Sequence, residues 1–150
     1  MSRDRYFEDY TTGEEVRAPG VTLTEADVIE FAFRYDPQPF HIDKTAAEHS
    51  IYGGLIASGW QVAILAFRML VQTGLFGRGS LGSPGLDAVR WHLPVRPGDT
   101  IYPVATVAET RASKSKPDRG VVTLIYRVDN QAGETVMTWQ GVQLVAKRPE

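Results

Sequence analysis

The chain contains no cysteine. That single absence removes a disulfide framework, a thiolate metal site and a cysteine nucleophile, and it fits a reducing compartment. Long apolar runs are missing as well: the longest, Val62 to Phe67, falls far short of the roughly 20 residues that cross a bilayer. The amino-terminal residues are rich in charge and carry no apolar stretch of signal-peptide type, so a cytoplasmic location is expected. Nor is there an excess of one charge. Lys+Arg number 16 against 18 Asp+Glu, a net charge of −2, with no run of five like charges. Such a chain offers no electrostatic footprint to a phosphate backbone, so neither nucleic acid nor membrane is an expected partner. No G-x-S-x-G and no G-x-x-x-x-G-K-[ST] occurs. The one G-x-G-x-x-G match, Gly77 to Gly82, follows a helical stretch and precedes a strand, the reverse of a dinucleotide site, and reads as a loop.

What is present suits one folded domain spanning residues 1–150. Hydrophobic residues make up 43% and charged residues 23%, with no internal repeat. The first half reads as helices and the second as strands. A first strand is expected over Glu14 to Leu23. Thr24 then caps a helix whose apolar face is Val28, Phe31 and Ala32 and which stops at Asp36, because Pro37 disfavours helical backbone before it. A short helical turn is expected near Lys44 to His49. From Val62 to Val71 only Arg68 is charged and apolar residues point in every direction, so this helix is expected to be enclosed by protein. Leu86–Leu93, Thr100–Arg111, Gly120–Asn130 and Glu134–Ala146 read as long strands, the last two joined by the turn residues Asn130 to Gly133. The class expected is α+β, an antiparallel sheet of about five strands curled around the long helix.

Two groups of residues suggest chemistry. His41, Asp43 and His49 are of metal-ligating type, but their spacing is unspecific and no further ligand is evident, so no metal site is expected. Asp36-Pro37-Gln38-Pro39-Phe40-His41 is more informative. Fully extended, the path from Asp36 to His41 reaches about 16 Å, so the side chains meet only if the prolines turn the chain. An Asp and a His so placed share one water. The same residues also suit a structural arrangement, with Asp36 capping a turn and His41 a satisfied, half-buried imidazole. Gly59 opens the long helix, where amides lack intrahelical acceptors and the dipole favours negative charge; tight helix packing would equally explain a glycine there.

Phe31-Ala32, the run Asp36 to Asp43 and Gly53-Gly54-Leu55-Ile56-Ala57-Ser58-Gly59 resemble the signature of MaoC-like (R)-specific enoyl-CoA hydratases and acyl dehydratases. Leu93-Pro94-Val95-Arg96-Pro97-Gly98-Asp99 is similar to that family's second signature. The resemblance implies a hot-dog fold, a homodimer with active sites near the subunit interface, and reversible syn hydration of a trans-2-enoyl-CoA to a (R)-3-hydroxyacyl-CoA. It places the acid/base pair on Asp36 and His41 and the oxyanion-hole amide on Gly59, with no metal or redox cofactor, coenzyme A being part of the substrate. Gln38, Phe40, Ser58, Trp60 and Arg96 are then expected to contact substrate, with Phe40, Tyr52 and Trp60 shaping an acyl tunnel. Arg34, Arg90, Arg96, Lys114 and Lys116 are candidates for the coenzyme A phosphates by charge. The chain departs from the family pattern in carrying Gln38, where asparagine is frequent, and in having no serine in the long helix after Ser58. These departures motivate one alternative, a non-catalytic acyl-CoA-binding protein; a thioesterase on the same fold, with water attacking the carbonyl in place of C3, is a second.

Overall fold

Three long strands set the fold because their sequences alternate. In the computed structural model, which describes residues 4–150, these are β4 (Thr100–Ala112), β5 (Arg119–Asn130) and β6 (Thr135–Ala146). On β5 every second residue, Val122, Leu124, Tyr126 and Val128, is buried; on β6 the buried set includes Met137, Trp139 and Val145. Period-two burial defines one inner face. There Tyr126 and Trp139, directly opposite in the ladder, stack with ring centroids 4.6 Å apart. The turn Asn130 to Gly133 closes the β5–β6 hairpin as expected, with Gly133 at φ 76° supplying the left-handed position.

The expected first strand is two pieces, β1 (Glu15–Arg17) and β2 (Val21–Thr22), both antiparallel to β4. Pro19 has no N–H for the ladder, and the ring of Tyr102 occupies the space a side chain at Gly20 would need, so the chain bends off the sheet between them. The sheet therefore has six strands, in the order β1-β4-β5-β6 and then β3, the strand Gly85–Trp91, with β2 also on β4. β3 (Gly85–Trp91) forms the far edge, and its ladder to β6 slips between Asp87 and Arg90. Ala88 sits in that bulge at φ 51°, the one non-glycine among the described residues with positive φ.

α1 (Glu25–Tyr35) begins where Thr24 Oγ1 accepts from the Asp27 amide at 3.1 Å and ends before Asp36-Pro37, burying Val28 and Ala32. The one-turn α2 (Pro39–Ile42) and α3 (Lys44–Glu48) follow. α4 (Gly59–Gln72) lies in the concave face of the sheet, burying Val62, Ala66 and Leu70 at helical spacing. Each such valine or leucine contributes about 1.5–3 kcal/mol by leaving water. α4 is not enclosed on all sides, contrary to its composition. Trp60, Ile64, Phe67 and Val71 form a stripe that is 58%, 57%, 43% and 41% exposed. The sheet covers one side of the helix, and the stripe faces the flank beside β3, where Leu86 and Trp91 are also exposed.

Candidate active site

The Pro-rich segment after α1 turns the chain tightly. The Gln38 amide donates to the Asp36 carbonyl at 2.8 Å, Pro39 takes the first position of α2, and the His41 amide donates to the Gln38 carbonyl at 2.9 Å. This brings His41 Nε2 to 3.3 Å from Asp36 Oδ2. The imidazole is 4% exposed, and its Nδ1 lies 2.7 Å from the carbonyl oxygen of Ile56. A carbonyl only accepts, so Nδ1 carries a hydrogen and Nε2 is the ring nitrogen turned toward Asp36.

The Asp36 carboxylate is held from both sides. Oδ1 accepts from Gln38 Nε2 at 2.7 Å and Oδ2 from Ser58 Oγ at 2.7 Å. Burial pushes the carboxyl upward, but the donors Ser58 and Gln38, together with His41, outweigh it and hold it below the usual carboxylate value. Asp36 is accordingly ionised at neutral pH.

Ser58 is the N-cap of α4, its Oγ accepting from the Trp60 amide at 3.3 Å. Gly59 is the first helical residue, a position at which the helix supplies no acceptor for the N–H. Its carbonyl accepts from Trp91 Nε1 at 2.9 Å, and a Cβ on Gly59 would stand 2.5 Å from that nitrogen. Close packing thus requires glycine here while leaving the amide beside the cavity.

Asp36, His41 and Gly59 line a single cavity of about 480 Å3, walled on its apolar side by Trp60 and Trp91. A negative carboxylate, a basic ring nitrogen and a helix-start amide in one cleft are suited to moving a proton next to a developing oxyanion. Trp60 also borders a larger apolar cavity of about 760 Å3 between α4 and the β3–β6 side of the sheet.

Of the other expected contacts, Gln38, Phe40, Tyr52 and Trp60 line the smaller cavity. Ser58 does not. It is fully buried and its hydroxyl is spent on Asp36 and the Trp60 amide. Arg96 does not line it either; its guanidinium donates to the carbonyl of Tyr52, which does. Arg34 borders a separate cavity between α1 and α4, and the Arg90 guanidinium donates to the Val89 carbonyl. Lys114 and Lys116 lie in the β4–β5 turn, which the ladder places beside Val145, at the far end of β6 from the cavity-lining Val136. His41, Asp43 and His49 do not converge: His49 Nδ1 lies 2.9 Å from the Thr45 carbonyl and Asp43 caps the Ala46 amide. Among the described residues no group of three such side chains is placed to hold a metal ion. No helix among them is long and apolar enough to cross a membrane.

The family model of the MaoC like domain matches residues 8–130. The chain belongs to the MaoC-like domain family. A crystal structure of a MaoC-like dehydratase from Rhodospirillum rubrum is 36% identical, with a TM-score of 0.88 over 97% of this chain and 99% of that one. An (R)-hydratase from A. caviae involved in PHA biosynthesis is 28% identical, with a TM-score of 0.75 over 95% and 99% of the two chains. Protein MaoC of Klebsiella aerogenes is 37% identical over 98 residues, which is 65% of this chain but only 29% of that longer protein. The sheet curled around α4 is the hot-dog fold. MaoC-like proteins include hydratases and dehydratases.

Three features of this MaoC-like site were not anticipated from sequence. The Ile56 carbonyl fixes the His41 tautomer, Trp91 grips Gly59 from β3, and His92 joins the lining. The signal for Trp91 and His92 is their place directly before the Leu93 to Asp99 signature.

Proposed function

We propose that this MaoC-like protein is an acyl-CoA hydratase/dehydratase that reversibly hydrates a trans-2-enoyl-CoA to a (R)-3-hydroxyacyl-CoA. The observation that carries the reading is the set of contacts around Asp36: His41 Nε2 at 3.3 Å, its other ring nitrogen committed to Ile56, in one cavity with Gly59 at the start of α4. In the hydration direction Asp36 and His41 orient a water and take its proton as its oxygen bonds to C3. The electron pair of the C2–C3 double bond moves to the thioester oxygen, which the Gly59 N–H steadies. The pair then returns the proton to C2, on the face from which water was added. No metal or redox cofactor enters this scheme.

Gln38 reaches the Asp36 carboxylate at 2.7 Å despite its extra methylene, so the departure from asparagine leaves the hydrogen bond in place. The apolar cavity beyond Trp60 is proposed to take an acyl tail, and Arg96, which donates to the carbonyl of the cavity-lining Tyr52, to meet a coenzyme A phosphate. A second copy of the chain is proposed to cover the stripe on α4 and the free edge of β3, making a homodimer. The cytoplasm is the proposed compartment.

The test is loss of the enoyl-thioester absorbance with crotonyl-CoA and longer trans-2-enoyl-CoAs, with free thiol assayed in parallel. Turnover without thiol release, reduced by about 10²-fold or more in Asp36→Asn and His41→Ala, is expected. Thiol release would make the protein a thioesterase, and acyl-CoA binding without turnover a binding protein.

A further inference from the structure

We propose that Trp91 is a positioning residue for the Gly59 amide, an inference that rests on the hydratase reading above. Glycine has more backbone freedom than any other residue, which is a liability where one N–H must point at a developing oxyanion. At Gly59 that freedom is removed from outside. On the amino-terminal side, Ser58 is tied by its hydroxyl to Asp36 and by its carbonyl to the Val62 amide at 3.2 Å, which sets the peptide plane bearing the Gly59 N–H. On the carboxyl-terminal side, the Trp60 amide is tied to Ser58 Oγ and the Gly59 carbonyl to Trp91 Nε1 at 2.9 Å.

Trp91 is the one holder that comes from the opposite wall of the cavity. It lies on β3, directly opposite Met137 of β6 in the ladder, whereas Ser58 and Trp60 belong to the turn they hold. Its indole fills the place of a Gly59 side chain and is itself met edge-on by Trp60, ring centroids 5.3 Å apart at 77°. The Gly59 carbonyl also faces the helical i+4 amide, so the indole N–H is a second donor whose effect is on direction more than on satisfaction of the oxygen. Phenylalanine would supply the packing without the N–H. The distance and angle from the Gly59 amide to the acid/base pair are therefore set by a strand as well as by the helix.

The experiment compares wild type, Trp91→Phe, Gly59→Ala, Trp91→Ala and the Gly59→Ala/Trp91→Ala double variant for enoyl-CoA hydration and for thermal melting. Trp91→Phe is expected to keep KM and melting temperature and to lose about tenfold in kcat, less than the about 10²–10³ of losing an oxyanion donor outright. Gly59→Ala is expected to melt well below wild type because its Cβ meets the indole. In the double variant the melting temperature recovers relative to Gly59→Ala while kcat does not. A Trp91→Phe protein with wild-type kcat overturns the proposal, as does a kcat loss accompanied by a matching fall in melting temperature, which marks a purely structural role. Absence of turnover in the wild type itself would sink the hydratase reading and this one with it, a result distinct from an active wild type indifferent to Trp91→Phe.

Discussion

Ser58 Oγ donates to Asp36 Oδ2 at 2.7 Å across 22 residues of sequence, and the same oxygen accepts from the Trp60 amide. One hydroxyl thus caps the central helix and charges the carboxylate that the proposed chemistry uses. Ser58→Ala should show both losses. Removal of the cap costs about 1 kcal/mol, a drop of about 2–4 °C in melting temperature for a chain of this size. Loss of a donor to a charged group, worth about 1.5–3 kcal/mol, raises the Asp36 pKa and moves the acid limb of the pH–rate profile upward. A melting curve and a pH–rate series check the two halves separately, and an unshifted acid limb would refute the second.

Stability should depend on Asp36 in acid. The folded carboxyl sits below its ordinary 3.8. A group lowered on folding contributes stability that is present above its unfolded pKa and is lost as pH falls through the folded value. The difference in unfolding free energy between wild type and Asp36→Asn is thus expected to be constant above about pH 5 and to move against the wild type below about pH 4. Urea unfolding of both proteins from acid to neutral pH measures it. A difference that ignores pH would show that the carboxyl titrates alike in the folded and unfolded chains.

Ala88 holds φ 51° within the β3 bulge, a conformation that costs an L-residue about 1–2 kcal/mol. Glycine removes that strain and returns part of the gain as chain entropy, about 0.5–1 kcal/mol. Ala88→Gly is expected to raise the melting temperature by about 1–4 °C. A lower melting temperature would mean that the Ala88 methyl packs more favourably than its backbone is strained.

Ile64 stands at the middle of the exposed stripe on α4, 57% exposed in the single chain. A second copy seated there would bury it, and a carboxylate at the same place would be desolvated without a partner. Ile64→Glu should elute as a monomer on size exclusion where wild type elutes as a dimer, and its melting temperature should not depend on concentration. Elution of wild type as a monomer refutes the dimer directly.

Local signals carried much of the architecture. Thr24 before an apolar-periodic run, Pro37 after Asp36, and Asn130 to Gly133 between alternating stretches each act within a few residues, and the elements form where those signals stand. The neighbourhood of Asp36 and His41 was legible for the same reason, because Pro37 and Pro39 force a turn. What escaped depends on contacts between distant segments. Nothing within residues 41–56 announces that the Ile56 carbonyl meets His41, and the Trp91 grip on Gly59 exists only once β3 has paired with β6. Ser58, expected among the substrate contacts, is instead a buried hydroxyl turned onto the half-buried Asp36 carboxylate, 22 residues away in sequence. The composition of α4 suggests enclosure because an apolar face is the same in sequence whether or not the chain's own sheet covers it.

The slip in β3 between Asp87 and Arg90 bears on how far self-association can run. An open strand edge is a template for further strands, and a straight apolar one invites an endless stack. Here the backbone turns out of register after three paired positions, Gly85 to Asp87, and resumes at Arg90 and Trp91. An incoming strand finds two short footholds in place of one continuous rail, so the edge is a poor template for fibre growth. The kink at Ala88 therefore works as a brake on polymerisation, and straightening it would trade a little local strain for a propensity to aggregate.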